Sequence, residues 1–388
     1  MDRLTRLVPM VAAAGLLSIT ACGSSNANSS GAGGAGGQTV NIGFLANLTG
    51  PGAPYGVPFN NGLTMALKEV QSSGTLPNIS INVDTRDTGS VEANAVTLFN
   101  KFVQAKDPIT ISDSQSPIGL AVAPIANSQS TVFLSGGGSK LPNDKGFSFR
   151  LADLGTPQKT LGTALYTRGA KRVATIIAGD NPSFATLAKA TEAAYKAAGG
   201  GDFVASQTIT SSDTDFSSVL TNLRQANPDT IFISTLPAQS GNIIKQIKSV
   251  GGLDSATLVG TIAWNPQVFD IAKSAAVGAE FASVWAPGAP ATAGFESAYK
   301  SAYNATPIAY SALGYETGWL LAAAIKSVTA SGGTVTAAAI RDALPAASQS
   351  DILKQHGVIP GFTIAAGAAN YPGVLSVFGS DGSIKAAG

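Results

Sequence analysis

Few residues in this 388-residue chain are equipped for covalent or metal chemistry. There is one His, His356, and one Cys, Cys22, so most metal sites and most acid–base catalysis are removed, and no intrachain disulfide can form. Ser297-Ala298-Tyr299-Lys300 has the S-x-x-K spacing of a lysine-assisted nucleophilic serine, yet neither S-D-N nor K-T-G completes that set. No G-x-S-x-G is present to join His356 in a triad, and His356 itself lies in a tail segment flanked by Gly and Pro. Gly136-Gly137-Gly138 before Ser139-Lys140 lacks the G-x-x-x-x-G-K spacing of a phosphate loop, so no cofactor is expected. What remains is binding chemistry. Leu48-Thr49-Gly50-Pro51-Gly52-Ala53-Pro54-Tyr55-Gly56 sets three Gly, two Pro and one aromatic between a strand-like run and a helix-like run. Gly and Pro fix an unusual backbone path there, and Tyr55 offers a flat apolar face with a polar tip.

The elements that must position this loop are legible as an alternation. Val40 to Leu45 reads as a core strand, and Leu63, Ala66, Leu67 and Val70 fall at helical spacing behind the loop. Strands are expected at 79–83, 109–111 and 131–134, with Ser90 as the N-cap of the helix carrying Ala95, Leu98, Phe99 and Phe102. The order begins again with strands at 172–178, 203–209, 230–234, 257–259 and 280–285, each but the last followed by a helical pattern or a loop. Two runs of this kind imply an α/β chain with two doubly wound parallel-sheet lobes. In such sheets small ligands bind beyond the carboxyl ends of the strands. Tyr310 to Val328 is apolar nearly all round and is expected to be a buried helix. Asp84, Asp87, Asp213 and Asp215 read as turn and helix caps, and Trp264 suits either core packing or a cleft wall.

Composition narrows the partners. The net charge of +1 gives no footprint for nucleic acid, and only 12% of residues are charged against about a quarter in ordinary globular chains. Arg3 and Arg6 precede an apolar run from Leu7 to Leu17, and Ile19-Thr20-Ala21-Cys22 follows. This resembles a bacterial lipobox, with residues 1–21 as signal peptide, Cys22 as the lipidated residue and residues 22–38 as a Gly/Ser-rich tether.

From residue 40 onward the chain resembles the type I periplasmic binding proteins of the leucine/isoleucine/valine-binding family. The resemblance is carried by Leu48-Thr49-Gly50-Pro51 with Tyr55-Gly56, Asn61-Gly62, Ala123-Pro124-Ile125, Gly169-Ala170-Lys171-Arg172-Val173, Asp213-Thr214-Asp215-Phe216, Asn227-Pro228-Asp229, Gly357-Val358-Ile359 and Asp381-Gly382. It implies a Venus-flytrap receptor with three crossovers: lobe one from 39–151 plus 287–346, lobe two from 152–286 plus 347–388. It also implies an ABC permease as partner, a monomer, and a small-molecule ligand held between the lobes. Carried over by position, Tyr55 is the aromatic of the first loop and Ser116 the serine facing a ligand carboxylate. Gly137, Gly138 and Ser139 are the third-loop donors that complete the anchor. Such converging donors can hold an anion without a full cation.

The second lobe departs from the family pattern. Phe184 stands where the family usually has Tyr, and Leu236-Pro237 where an aromatic often precedes Pro. The loop Thr261-Ile262-Ala263-Trp264-Asn265 holds no acid to pair with a ligand ammonium. Burying an unpaired ammonium is costly. Either Asp113 or Asp180 replaces that acid, or the ligand has no ammonium, and Phe184, Leu236, Ile262 and Trp264 then suit a hydrophobic or aromatic carboxylate. A sensor lipoprotein reporting to a membrane partner and an exported serine hydrolase stay open as alternatives.

Overall fold

The computed structural model describes residues 37–153 and 155–387. The expected signal peptide, Cys22 and nearly all of the expected tether lie outside the described residues. Five strands open the fold: β1 (Gln38–Ala46), β2 (Ile79–Asp87), β3 (Ile109–Ser112), β4 (Val132–Ser135) and β5 (Ser148–Arg150). They are parallel and lie in the order β5-β4-β3-β1-β2. Helices α1 (Ala53–Ser72), α2 (Glu92–Gln104) and α3 (Ser116–Gln129) connect the first four. A second parallel run, β6 (Val173–Ala178), β7 (Ala205–Ile209), β8 (Thr230–Ser234), β9 (Thr257–Gly260) and β10 (Glu280–Ser283), repeats the order as β10-β9-β8-β6-β7. It is covered by α4 (Gly155–Thr167), α5 (Pro182–Ala197), α6 (Ser217–Gln225), α7 (Pro237–Val250) and α8 (Pro266–Ala272). Each sheet therefore reverses its winding beside its first strand, which opens a crevice at that strand's carboxyl end.

Alternation along β1 explains the packing of lobe one. Ile42 and Phe44 join a cluster with Phe59 and Leu63 of α1, while Leu45 joins Phe99 and Phe102 of α2 on the other face. Strands buried on both faces read as continuous apolar runs, as in Ile231 to Ile233 of β8, whereas β3 buries Thr110 and Ser112 alongside Ile109 and Ile111. The chain then returns to lobe one with α9 (Ala293–Tyr303), α10 (Ala309–Ala330), α11 (Ala337–Ala347) and α12 (Asp351–His356). Helix α10 is buried along most of its length, as its sequence implied. It crosses α1 backbone to backbone, because a Cβ at Gly314 would overlap the Phe59 carbonyl oxygen and one at Gly62 the Ser311 carbonyl oxygen.

The tail departs from the expected partition. Strands β11 (Thr363–Ala365) and β12 (Ala368–Asn370) extend the first sheet, β12 pairing with β5, rather than joining lobe two with the rest of 347–388. Only β13 (Val374–Phe378) and β14 (Ile384–Ala386) join the second sheet, β13 running antiparallel to β10. The third crossing is thus at 371–373 and not near 345–348. The physical cause is a set of polar anchors on lobe one. Glu316 of α10 accepts the backbone N–H groups of Val358 (2.7 Å) and Ile359 (3.0 Å), and the Ser348 hydroxyl accepts the N–H of Ile364 (2.8 Å).

Candidate ligand-binding cleft

The first loop is clamped before it can present anything. Asp87 accepts hydrogen bonds from Leu48 N, Thr49 N and the Thr49 hydroxyl, which holds its carboxyl below the usual range although it is mostly exposed. Ser90 is not the expected N-cap; Val91 takes that place. Ser90 sits at φ 63°, and its hydroxyl accepts from Gly52 N and donates to Thr49 O, both at 2.9 Å. With the loop fixed at both ends, the first turn of α1 turns Tyr55 inward, 5% exposed, and its hydroxyl donates to the Ala263 carbonyl on lobe two at 3.1 Å.

The second and third loops meet through serine hydroxyls. Ser116, in the first turn of α3, accepts the backbone N–H groups of both Gly138 (3.0 Å) and Ser139 (3.1 Å). Gly137 N donates to Ser135 Oγ at 3.2 Å. The N–H groups of Gly138 and Ser139 thus converge on the Ser116 oxygen; Ser116 borders the space between the lobes, whereas Gly137, Gly138 and Ser139 do not line it. Ser139 Oγ lies 3.2 Å from Ser183 Oγ, a second direct link between the lobes. Lys140 points to solvent.

From lobe two, Phe184 and Leu187 of α5, Leu236 before α7, and Ile262-Ala263 after β9 close the opposite wall. The space between the walls is about 60 Å³, bounded on the lobe-one side by Tyr55, Ser114, Gln115 and Ser116. None of the residues around it is charged. Tyr310, in the first turn of α10, completes the wall with its ring centroid 5.2 Å from that of Tyr55. Sequence reading missed Tyr310 because it was assigned wholly to a buried helix; an aromatic in a helix's first turn was the available signal.

Trp264 is not part of this wall. Its indole N–H donates to Ser240 Oγ at 2.9 Å, its ring stacks on Phe378, and it lies flat against Gly260, where a Cβ would overlap it. It belongs to the lobe-two core. Neither acid proposed as an ammonium partner faces the space. Asp180 is exposed and accepts from Ser211 N and Oγ, both 2.8 Å, which lowers its pKa. Asp113 is fully buried beneath the loops, bonded to Asn47 and Ser114, and burial raises its pKa to about 6. Ser297 and Lys300 lie on the solvent face of α9, and the His356 ring is stacked on Trp319 at 3.8 Å. Among the described residues no cluster of His, Cys, Asp or Glu could hold a metal ion, and no helix is long and apolar enough to cross a membrane.

The sequence pattern described as "Periplasmic binding protein" matches residues 39–366. The chain belongs to the periplasmic binding protein family. This periplasmic binding protein is 25% identical to the Leu/Ile/Val-binding protein BraC3 of Rhizobium johnstonii over 228 residues, 57% of this chain and 60% of the relative. The match therefore spans about three-fifths of that protein's length. Among solved structures it resembles the leucine-binding protein LivK of Thermotoga maritima, with TM-score 0.77, 22% identity, and 90% and 98% of the two chains covered. It also resembles LivJ of Streptococcus pneumoniae in complex with isoleucine, with TM-score 0.76, 20% identity, and 90% and 99% covered. A third resemblance is to a solute-binding protein of an ABC transporter from R. palustris in complex with benzoate, with TM-score 0.75, 20% identity, and 90% and 96% covered. At these identities the likeness establishes the fold of the binding protein: the type I two-lobe architecture.

Proposed function

We propose that this protein is the extracytoplasmic receptor of an ABC importer and captures a small carboxylate without an ammonium group, aromatic or branched aliphatic, between its lobes. The carrying observation is the inter-lobe wall. It combines apolar Phe184, Leu187, Leu236 and Ile262 with hydroxyl and amide groups, and it has no acid to meet an ammonium. An unpaired ammonium buried there would cost several kcal/mol, whereas a carboxylate can accept from the N–H groups of Gly138 and Ser139 by displacing the Ser116 oxygen that now holds them. The family membership supports the receptor role, and the benzoate-bound structural neighbour supports an amine-free acid, while the leucine- and isoleucine-binding neighbours bind ligands that carry an ammonium.

The space of about 60 Å³ is far below the roughly 300 Å³ or more of ordinary small-molecule sites, so a ligand enters by the lobes parting and closing again. Export and lipid attachment at Cys22 would hold the receptor on the outer face of the cell membrane, beside its permease.

Thermal unfolding with a panel of aromatic acids, aliphatic acids and branched-chain amino acids tests the reading. Ligand at a hundredfold its Kd adds about 2.7 kcal/mol to stability. Benzoate-class or branched aliphatic acids should raise the midpoint, and leucine, isoleucine and valine should not. A shift with the amino acids alone overturns the amine-free reading.

A further inference from the structure

Asp113 stands at the joint of all three lobe-one loops. Its carboxylate accepts from Asn47 N at 2.6 Å and from the Asn47 side-chain amide, whose oxygen in turn accepts from Thr88 Oγ1 at 2.6 Å. It also accepts from Ser114 N and, at 3.2 Å, from the Ser114 hydroxyl. A Cβ at Gly56 would lie 2.5 Å from Asp113 Oδ2, and a Cβ at Gly136 would overlap the Asp113 carbonyl oxygen, so the first and third loops both press on it. Yet Asp113 does not line the cleft, whereas Ser114 does.

We propose that Asp113 is a positioning residue whose protonation state sets which hydrogen-bonding face Ser114 turns toward the ligand. Ionised, Asp113 takes the hydroxyl hydrogen of Ser114 and leaves only oxygen lone pairs toward the cleft, which repel a carboxylate. Protonated, it no longer requires that hydrogen, and Ser114 donates to the bound anion. A hydroxyl carries one hydrogen, so the two uses exclude each other. Carboxylate binding is then linked to proton uptake at a residue the ligand does not touch.

The surroundings make such a switch workable. The groups meeting Asp113 from β1's end, α1 and the loop after β4 are Asn47, Gly56 and Gly136, none ionisable. From α10 it faces the Tyr310 phenol, whose ionisation its charge opposes. Among the described residues it has no ion pair with Lys or Arg in which to lock its charge, and burial raises its pKa to about 6.

The ligand arm of the test rests on the carboxylate reading above; the protein arm does not. Using the folded chain, carbon-detected NMR follows the Asp113 carboxyl from about pH 5 to about pH 8, alongside the amides of Asn47, Ser114 and Ser116. Those amides should move with the Asp113 midpoint and stay still in Asp113→Asn; amides that ignore the midpoint overturn the proposal. In calorimetry the Kd of benzoate should rise roughly fivefold or more over that range with net proton uptake, while neutral benzamide shows no such trend. A pH-independent benzoate Kd without proton uptake also overturns it. Should benzoate bind at no pH while the amides titrate with Asp113, the coupling stands and the carboxylate reading falls. If Asp113→Asn fails to fold, the wild-type amide titration decides.

Discussion

Tyr55 of lobe one donates its hydroxyl hydrogen to the carbonyl oxygen of Ala263 on lobe two, 3.1 Å across the cleft. The bond is buried and joins the two lobes, which part for ligand entry under the proposed function. Tyr55→Phe keeps the ring against Tyr310 and deletes only this bond, at about 1 kcal/mol of closure. The ligand-free protein should then populate parted lobes more, read as a larger radius of gyration in small-angle X-ray scattering. Unchanged scattering would show that the bond does not hold the lobes.

The third loop should matter for anions in particular. Ser139 offers both its N–H and its hydroxyl near the cleft. Ser139→Ala is expected to weaken benzoate binding by about 1–3 kcal/mol through a lost charge-assisted hydrogen bond, measured by calorimetry. An unchanged Kd would place the carboxylate elsewhere.

Stability should fall as pH rises through neutrality. Burial raises the pKa of Glu316 to about 7 and that of Asp113 to about 6, both above their ordinary values. A carboxyl whose folded pKa is raised contributes its full stability below the unfolded pKa, near 4–4.5, and loses it as pH climbs to about 7. Glu316→Gln can still accept from Val358 N and Ile359 N while carrying no charge. It should gain on the order of 2 kcal/mol at pH 8 and little at pH 4.5, by urea unfolding at both values. An equal change at both pH values would rule out this origin.

The α1–α10 crossing has no room for a methyl group. Gly314→Ala drives a Cβ into the Phe59 carbonyl, a rigid backbone atom, and should cost about 3 kcal/mol or more. Gly294→Ala, in α9 with open space around it, should instead stabilise by up to about 1 kcal/mol. Thermal unfolding of the pair separates the crowding effect from helix propensity; equal shifts would refute the crossing argument.

Much of the fold was readable because its signals are local. The strand at Ile109–Ile111, the loop at Leu48–Gly56 and the largely apolar helix from Tyr310 onward each declare themselves within a dozen or so residues. The tail was not readable in this way. Thr363–Ala365 and Ala368–Asn370 look like strands in either lobe, and their sheet is decided by where β5 has an open edge and where Glu316 and Ser348 wait with acceptors. Ser90 failed as a cap because the Thr49 and Gly52 backbone, distant in sequence, offered its hydroxyl better partners.

The sequence by itself determined the α/β alternation, the two-lobe repeat and the serine- and glycine-rich loops, because periodicity and turn chemistry act between near neighbours. Tertiary structure alone decided which residues face the cleft. Trp264 turns into the lobe-two core because Gly260 leaves space for its ring and Ser240 accepts its N–H, while Tyr310 arrives at the cleft on a helix packed against α1. The absence of an acid in the loop after β9 was visible in the sequence. That Asp113 and Asp180 do not take its place became visible only once their hydrogen-bond partners, Asn47, Ser114 and Ser211, were brought beside them by the fold.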